Sequence, residues 1–426
     1  MTQNPRFILF ALALAALCAS PPIRAQPAAR PPQVEAAWTE LTGAGAEVRA
    51  AVAGSSCPQA IIDGLSYSLE QRAAAGPHFP MVCSLGLPPH ASAVSVEGRV
   101  LPLPRPVRRI VILGDTGCRV LKLAVQDCND ARAWPFAAVA RLAAAQKPDL
   151  VIHVGDYYYR ETPCPLGLPA CAGSPSGDRW DTWTAEFFDP ASPLLAAAPW
   201  VFARGNHELC IRGGEGWYTL LDAGPAPKGC PAVSAPFVVR TGGLNLFVID
   251  SSGADDRTRL PDQVAAMAGQ LDRLGADLES GQGWIITHRP IWGLAPVLRL
   301  GPAAPLQVGL NFTEQEAVRG RTLAGVQMVV SGHVHHFQAI SFGPPRPAQL
   351  IVGTGGDVGE AADLPRIYRG QRDMDGLDAQ TFSFSRFGYY LMERDGEDWT
   401  GAFHDQDDRV RAACRLHGRV LDCRPA

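Results

Sequence analysis

Five short motifs constrain this chain more than any other feature. They are Gly114-Asp115-Thr116-Gly117, Gly155-Asp156-Tyr157-Tyr158-Tyr159, Gly205-Asn206-His207-Glu208, Thr287-His288 and Gly332-His333-Val334-His335. Each follows a run of β-type apolar residues, so each falls at the C-terminal end of a strand. Open α/β sheets gather their ligands beyond that edge. The donors are hard oxygens and imidazoles, the set that two adjacent cations and a bridging carboxylate require.

The surrounding pattern fits a layered α/β domain. Strands are expected at 108–113, 150–154, 199–203, 244–249, 284–287, 326–330 and 350–352, and helices at 134–146, 263–278 and 314–323. Segments 160–189, 343–347 and 353–378 read as loops. A loop as long as 160–189 inside a compact domain is often functional. Four parts are expected: a signal peptide at 1–25, a leader and small β domain at 26–105, a catalytic domain at 106–404, and a disulfide-closed ribbon at 405–426.

Arg6, the apolar core of residues 7–19 and small residues before Gln26 read as a secretory signal with cleavage before Gln26. The chain is therefore expected to be exported, periplasmic or secreted, with no membrane association once the signal is removed. Ten cysteines follow that segment. An even number in an exported chain reads as disulfides, expected as five consecutive local pairs with no free thiol. A net charge of −4 without like-charge blocks gives no footprint for nucleic acid. The sequence fixes no oligomeric state.

A carboxylate can serve two cations about 3.5–4 Å apart, which makes Asp156 the candidate bridge and Asp115 the second anionic ligand. Asn206 offers a neutral amide oxygen suited to a divalent ion. His333 and His335, two apart in an extended segment, emerge on one side and join His288 as imidazole donors. His336 faces the other way and reads as structural, as does His153 within its strand. Tyr159 carries a phenol of ordinary pKa about 10. Binding as phenolate needs a strongly polarising ion, which favours ferric iron over zinc or magnesium. Tyr157 and Tyr158 read as aromatics on the pocket wall.

Together these motifs resemble the purple acid phosphatases of the calcineurin-like metallophosphoesterase superfamily. Gly-Asp-Thr-Gly, Gly-Asp-Tyr-Tyr-Tyr, Gly-Asn-His-Glu, Thr-His-Arg-Pro and Gly-His-Val-His carry the resemblance from Gly114 to His335, and Gly353-Thr354-Gly355-Gly356 resembles a later family loop. The resemblance implies a β-sandwich flanked by helices with a small N-terminal β domain. It implies Asp115, Asp156, Tyr159 and His335 around Fe(III), and Asp156, Asn206, His288 and His333 around a divalent iron, zinc or manganese. The implied activity is hydrolysis of phosphate monoesters, with metal-activated hydroxide attacking phosphorus in line. His207 would contact the phosphate or protonate the leaving alkoxide, with Glu208 orienting it or simply solvated.

Two departures stand out. Many such sites carry a His where Gly117 stands, and Tyr159 would fill that vacancy. The further His common about ten residues after the position of His288 is absent from 294–300, which leaves leaving-group protonation to His207 or to an unassigned residue. The alternatives are a Mn/Zn phosphodiesterase or nucleotidase on the same scaffold, or a non-catalytic phosphate- or metal-binding descendant.

Overall fold

The computed structural model describes Met1 and residues 32–122, 124–280, 282–296, 306–358 and 368–426. The expected signal segment, its cleavage point and most of the leader lie outside them, as do residues 297–300 of the histidine-free stretch.

Two large sheets pack face to face. The first runs, edge to edge, Val420–Pro425, Val410–His417, Asp398–Asp405, Gly388–Asp395, Arg109–Leu113, Leu150–His153, Trp200–Phe202, Gln33–Thr42, Gly45–Ala53, Met81–Gly86 and Glu70–Ala73. The second runs Phe237–Arg240, Asn245–Val248, Gly283–Ile286, Val326–Ser331, Ala348–Val352, Phe337–Ser341, Leu377–Phe384 and Tyr368–Met374. The middle strands of both sheets pair in parallel. They are buried on both faces, which accounts for their unbroken apolar runs.

Alternation along those strands sorts the side chains into layers. Ile110, Ile112, Ile152 and Val154 face Leu246, Val248, Trp284, Ile286, Met328 and Val330 in the core between the sheets. Their neighbours Val111, Leu113 and Val151 turn outward onto Phe136, Val139, Ala140 and Ala143 of the helix Phe136–Ala145 and onto Leu194 of the helix Asp189–Leu195. On the far side, Phe247 and Ile285 meet Met267, Leu271, Leu274 and Leu278, spaced at helical period along Pro261–Ser280. The result is the expected sandwich with helices on both outer faces.

Some elements differ from expectation. The helix expected at 314–323 runs Phe312–Val318, opened by Asn311, whose side chain accepts from the Glu314 N–H, and left at Arg319 in extended backbone. The stretch expected to be loop through 378 contains the strand Tyr368–Met374, paired along its length with Leu377–Phe384.

Residue 105 lies in the coil before Arg109–Leu113 and residue 404 within Asp398–Asp405, and strands from both sides of each position join the first sheet. Gln33–Thr42 pairs in parallel with Trp200–Phe202, bringing Glu40 against Trp200. The ribbon Val410–His417 and Val420–Pro425 extends the opposite edge. A four-stranded sheet, Gln59–Ile62 with Leu65–Ser68, Val94–Val96 and Arg99–Val100, makes the rest of the mostly-β N-terminal region.

The five bridges are Cys57–Cys83, Cys118–Cys128, Cys164–Cys171, Cys210–Cys230 and Cys414–Cys423, the consecutive pairing that was expected. Three of them close loops at the carboxyl edge of the first sheet. No described helix is long and apolar enough to cross a membrane. The five disulfides fit an extracellular protein.

Candidate metal centre

All five motifs sit where parallel strands end. Gly114 to Gly117 follow Arg109–Leu113, Gly155 to Tyr159 follow Leu150–His153, and Gly205 to Glu208 follow Trp200–Phe202. Thr287 and His288 follow Gly283–Ile286, and Gly332 to His335 follow Val326–Ser331. The first sheet therefore delivers the oxygen donors and the second delivers the imidazoles. The chain must turn sharply at each exit, and Asp115, Asp156 and His333 hold left-handed φ of 57°, 61° and 69°. Strain of that kind is kept only where surrounding contacts fix it, and it clusters at functional sites.

The glycines are explained by what packs against them. A Cβ on Gly205 would run into the Asp156 carboxylate, and one on Gly332 into the Asp115 carboxylate. One on Gly155 would lie 2.6 Å from His288 Nδ1. One on Gly117 would lie 2.7 Å from Tyr159 Cδ2, so the Tyr159 ring occupies the space a side chain there would need.

The seven candidate ligands converge. Tyr159 Oη lies 3.2 Å from Asp115 Oδ1, 2.9 Å from Asp156 Oδ2 and 3.1 Å from His335 Nε2. His288 Nε2 lies 3.2 Å from the same Asp156 oxygen and 3.1 Å from Asn206 Oδ1. Asp115, Asp156 and His335 form one group with donor atoms within 4.8 Å of one another, and Asp156, His288 and His333 form a second. Asp156 is common to both.

The donor set fits cations. A phenol has one proton to give, yet three acceptors crowd Tyr159 Oη. The centre has a surplus of lone pairs and is buried, with Asp115, Tyr159 and His288 wholly enclosed. Burial and the charges of Asp156 and Asp115 push the Tyr159 phenol well above 10. Burial alone would raise Asp156, but the His288 and His207 imidazoles hold it well below the usual carboxylate range. Burial alone would lower His288, but the Asp156 carboxylate pushes it up to about 9. The residues thus polarise one another in the way that a bound cation would relieve.

His207 sits at the rim. Its ring lies 3.7 Å from that of Tyr159 at a tilt of 36°, and its Nε2 is 3.9 Å from Asp156 Oδ2 and 2.9 Å from Arg212 Nη2. The carboxylate at its Nδ1 is Glu161, at 2.8 Å, and Arg212 pairs with that carboxylate. The expectation that Glu208 orients or is solvated is corrected here. Glu208 is fully buried and accepts from the N–H groups of Asp156, Gly205, Tyr157 and Tyr158 at 2.9–3.3 Å. It shapes the loop that carries the bridging carboxylate. Glu186 does the same one turn on, accepting from the N–H groups of Cys118, Tyr159 and Arg160.

The side chains read as structural behave so. His153 is buried between the Thr116 hydroxyl and the Gly155 N–H and stacks on Tyr157 at 4.0 Å. Tyr158 stacks on Trp183, and His336 lies against Gln338.

Asp256, Asp357, Glu161, Arg119, Arg212, Arg289 and Glu186 went unread in the sequence. Three carried a signal: Arg289 adjoins His288, Glu161 lies two residues past Tyr159, and Asp357 directly follows the Gly353–Gly356 loop. That loop runs along the first motif, its Gly355 N–H donating to Gly114 O and its Asp357 N–H to Asp115 O, both at 2.8 Å.

A paired-sheet sandwich with a two-cation donor cluster on its carboxyl edge is the architecture of a metallophosphoesterase. The model of the calcineurin-like phosphoesterase family matches residues 108–337, more than half the chain, and the chain belongs to that family. The fold is shared with a purple acid phosphatase from seeds of yellow lupin, Lupinus luteus, at 14% identity and TM-score 0.55, over 92% of this chain and 73% of that one. It is shared equally with PhoD, at 10% identity and TM-score 0.52, over 91% of each chain. No curated protein sequence matches significantly.

Proposed function

We propose that the protein is a dinuclear-metal phosphomonoesterase of the purple acid phosphatase type, acting on phosphate esters outside the cytoplasm. The observation that carries this reading is the position of Tyr159 Oη, 2.9–3.2 Å from Asp115, Asp156 and His335. A phenol so enclosed by negative charge stays protonated unless a highly charged cation replaces its proton. That favours ferric iron among Asp115, Asp156, Tyr159 and His335. Asp156, Asn206, His288 and His333 then suit a divalent iron, zinc or manganese. When bound, such a pair neutralises phosphoryl oxygens and acidifies a water molecule.

The chain's own residues do the rest. Asp156, whose Oδ2 lies 2.9 Å from Tyr159 Oη and 3.2 Å from His288 Nε2, would be the ligand shared by the pair. Asp115 and His335 close one side, and Asn206, His288 and His333 the other. His207 is held by Glu161 at Nδ1, and its Nε2 lies 3.9 Å from Asp156 Oδ2 and 2.9 Å from Arg212 Nη2, beside the donor cluster. It is the leaving-group acid of this reading, which needs no second histidine downstream of His288.

The test is elemental analysis and a visible spectrum of the exported protein, with turnover of an aryl phosphate compared with a bis-aryl phosphate. Iron, a tyrosinate absorption lost in Tyr159→Phe, and preference for the monoester are expected. A colourless, iron-free and fully active protein overturns the iron assignment, and preference for the diester overturns the monoesterase.

A further inference from the structure

A histidine that binds a cation through one ring nitrogen carries its proton on the other, and that proton needs an acceptor. The three imidazoles of the centre meet this need differently. His288 turns Nε2 inward and Nδ1 toward the carbonyl oxygen of Val154 at 2.8 Å. His335 turns Nε2 inward, 3.1 Å from Asp115, and Nδ1 toward Asp357 Oδ2 at 3.0 Å. His333 has Asp256 Oδ2 2.9 Å from its Nε2, leaving Nδ1 for the centre.

Both carboxylates are held in turn. Asp357 is fully buried and lies 3.2 Å from Arg119 Nε, and its backbone is tied to that of Asp115. Asp256 lies 2.7 Å from Arg289 Nη1 and accepts from the Asn311 side-chain amide at 3.2 Å. Arg289 also approaches His333 Nε2, at 2.9 Å. If that nitrogen accepted from Arg289, the ring proton would sit on Nδ1 and face the centre, and His333 could not ligate. Asp256 decides against this, because it accepts a hydrogen bond from the Nε2–H and gives Arg289 a carboxylate to pair with instead.

We infer that Asp357 and Asp256 are positioning residues, one for each cation: Asp357 sets the tautomer and ring orientation of His335, and Asp256 those of His333, with Arg119 and Arg289 holding each carboxylate in place. This deepens the dinuclear reading above and rests on it. Partners at the far nitrogen of a ligating histidine typically change metal affinity by about 10–100-fold. The claim is that the two effects separate.

The experiment measures, on the exported full chain, ion stoichiometry, competition with a chelator and the visible spectrum, with circular dichroism to confirm folding. Asp256→Ala is expected to weaken the divalent ion by about 10–100-fold while the visible band stays. Asp357→Ala is expected to shift or lose the band. Asp256→Asn and Asp357→Asn, which keep an acceptor oxygen, are expected to recover most of the affinity, and they carry the test if either alanine variant fails to fold. Folded alanine variants that lose both ions together, or that bind both like the wild type, overturn the inference. A wild type that takes up fewer than two ions overturns the dinuclear reading itself.

Discussion

At the scale of single residues, Asp156 is the point on which the centre turns. Its Oδ2 lies 2.9 Å from Tyr159 Oη in one donor group and 3.2 Å from His288 Nε2 in the other, and the Cβ-less Gly205 makes room for Oδ1, which accepts from the His207 N–H at 2.8 Å. Asp156→Asn is expected to release both ions and abolish turnover, read by elemental analysis and assay; a variant that keeps either ion shows that the carboxylate does not bridge. His207→Ala is expected to lower kcat by about 10²–10⁴-fold on poor leaving groups and far less on a nitrophenolate, which leaves without a proton. Equal loss on both argues that His207 binds phosphate only. Asp115, Asp156, Asn206 and His333 were legible in the sequence because each follows a glycine near a strand end, and Tyr159, His288 and His335 because they stand in the same set of motifs. Asp256 was not, because its relation to the histidines exists only in space: Asp256 and His333 are 77 positions apart.

At the scale of elements, the N-terminal strands reach into the catalytic half through buried arginines. Arg49 is fully enclosed, 2.9 Å from Glu40, and donates to the carbonyl oxygens of Leu220 and Asp222 at 2.8 and 2.9 Å. Arg72 donates to Asp222 O and Gly224 O. Removing one partner of a buried pair leaves an uncompensated charge and costs about 3–5 kcal/mol, so Arg49→Ala is expected to lower stability by that amount in urea unfolding. A loss under 1 kcal/mol shows that the strands do not brace the segment Trp217–Leu221. These contacts could not be read from the sequence, where 26–105 stood as a leader and small β domain. Residues 36–41 and 47–52 are β-like in composition, but nothing local tells whether the partner of the first is another N-terminal strand or Trp200. The strand Tyr368–Met374 was missed for a related reason: its text, Tyr-Arg-Gly-Gln-Arg-Asp-Met, is mostly polar and broken by Gly. The early end of Phe312–Val318 was in principle readable, since Gly320 adopts φ 74° just beyond it. Opening Cys210–Cys230, whose loop follows His207, is expected to cost about 2–4 kcal/mol, checked by thermal unfolding of the Cys210→Ser/Cys230→Ser protein.

For the whole molecule, acid–base balance sets a stability window. Burial pushes Glu186 up to about 7 and Glu208 up to about 8, and the Asp156 charge adds to the rise in Glu208. His288 sits at about 9 because Asp156 outweighs its burial. All three hold protons more tightly folded than unfolded, so their contribution is full below the unfolded value and is lost as pH rises through the folded one. Asp156, Asp256 and Glu161 move the other way, since neighbouring imidazoles and guanidiniums outweigh their burial and hold them low. Their contribution is lost as pH falls through the folded values. The metal-stripped protein is therefore expected to melt highest between about pH 4.5 and 6.5. Melting in the presence of chelator across pH 3–9 checks this; a maximum above pH 8 contradicts it.

The oxygen donors hang from one sheet and the imidazoles from the other, so the cations would act as rivets through the seam of the sandwich. A loaded centre would clamp the two layers at one end, while at the opposite end Arg419 ties the C-terminal ribbon to the carbonyl oxygen of Val326 at 2.9 Å. Stripping the ions would then let the molecule gape from the rivet end first, with amide exchange rising at residues 114–117 and 332–335 before it rises in the apolar middle of either layer.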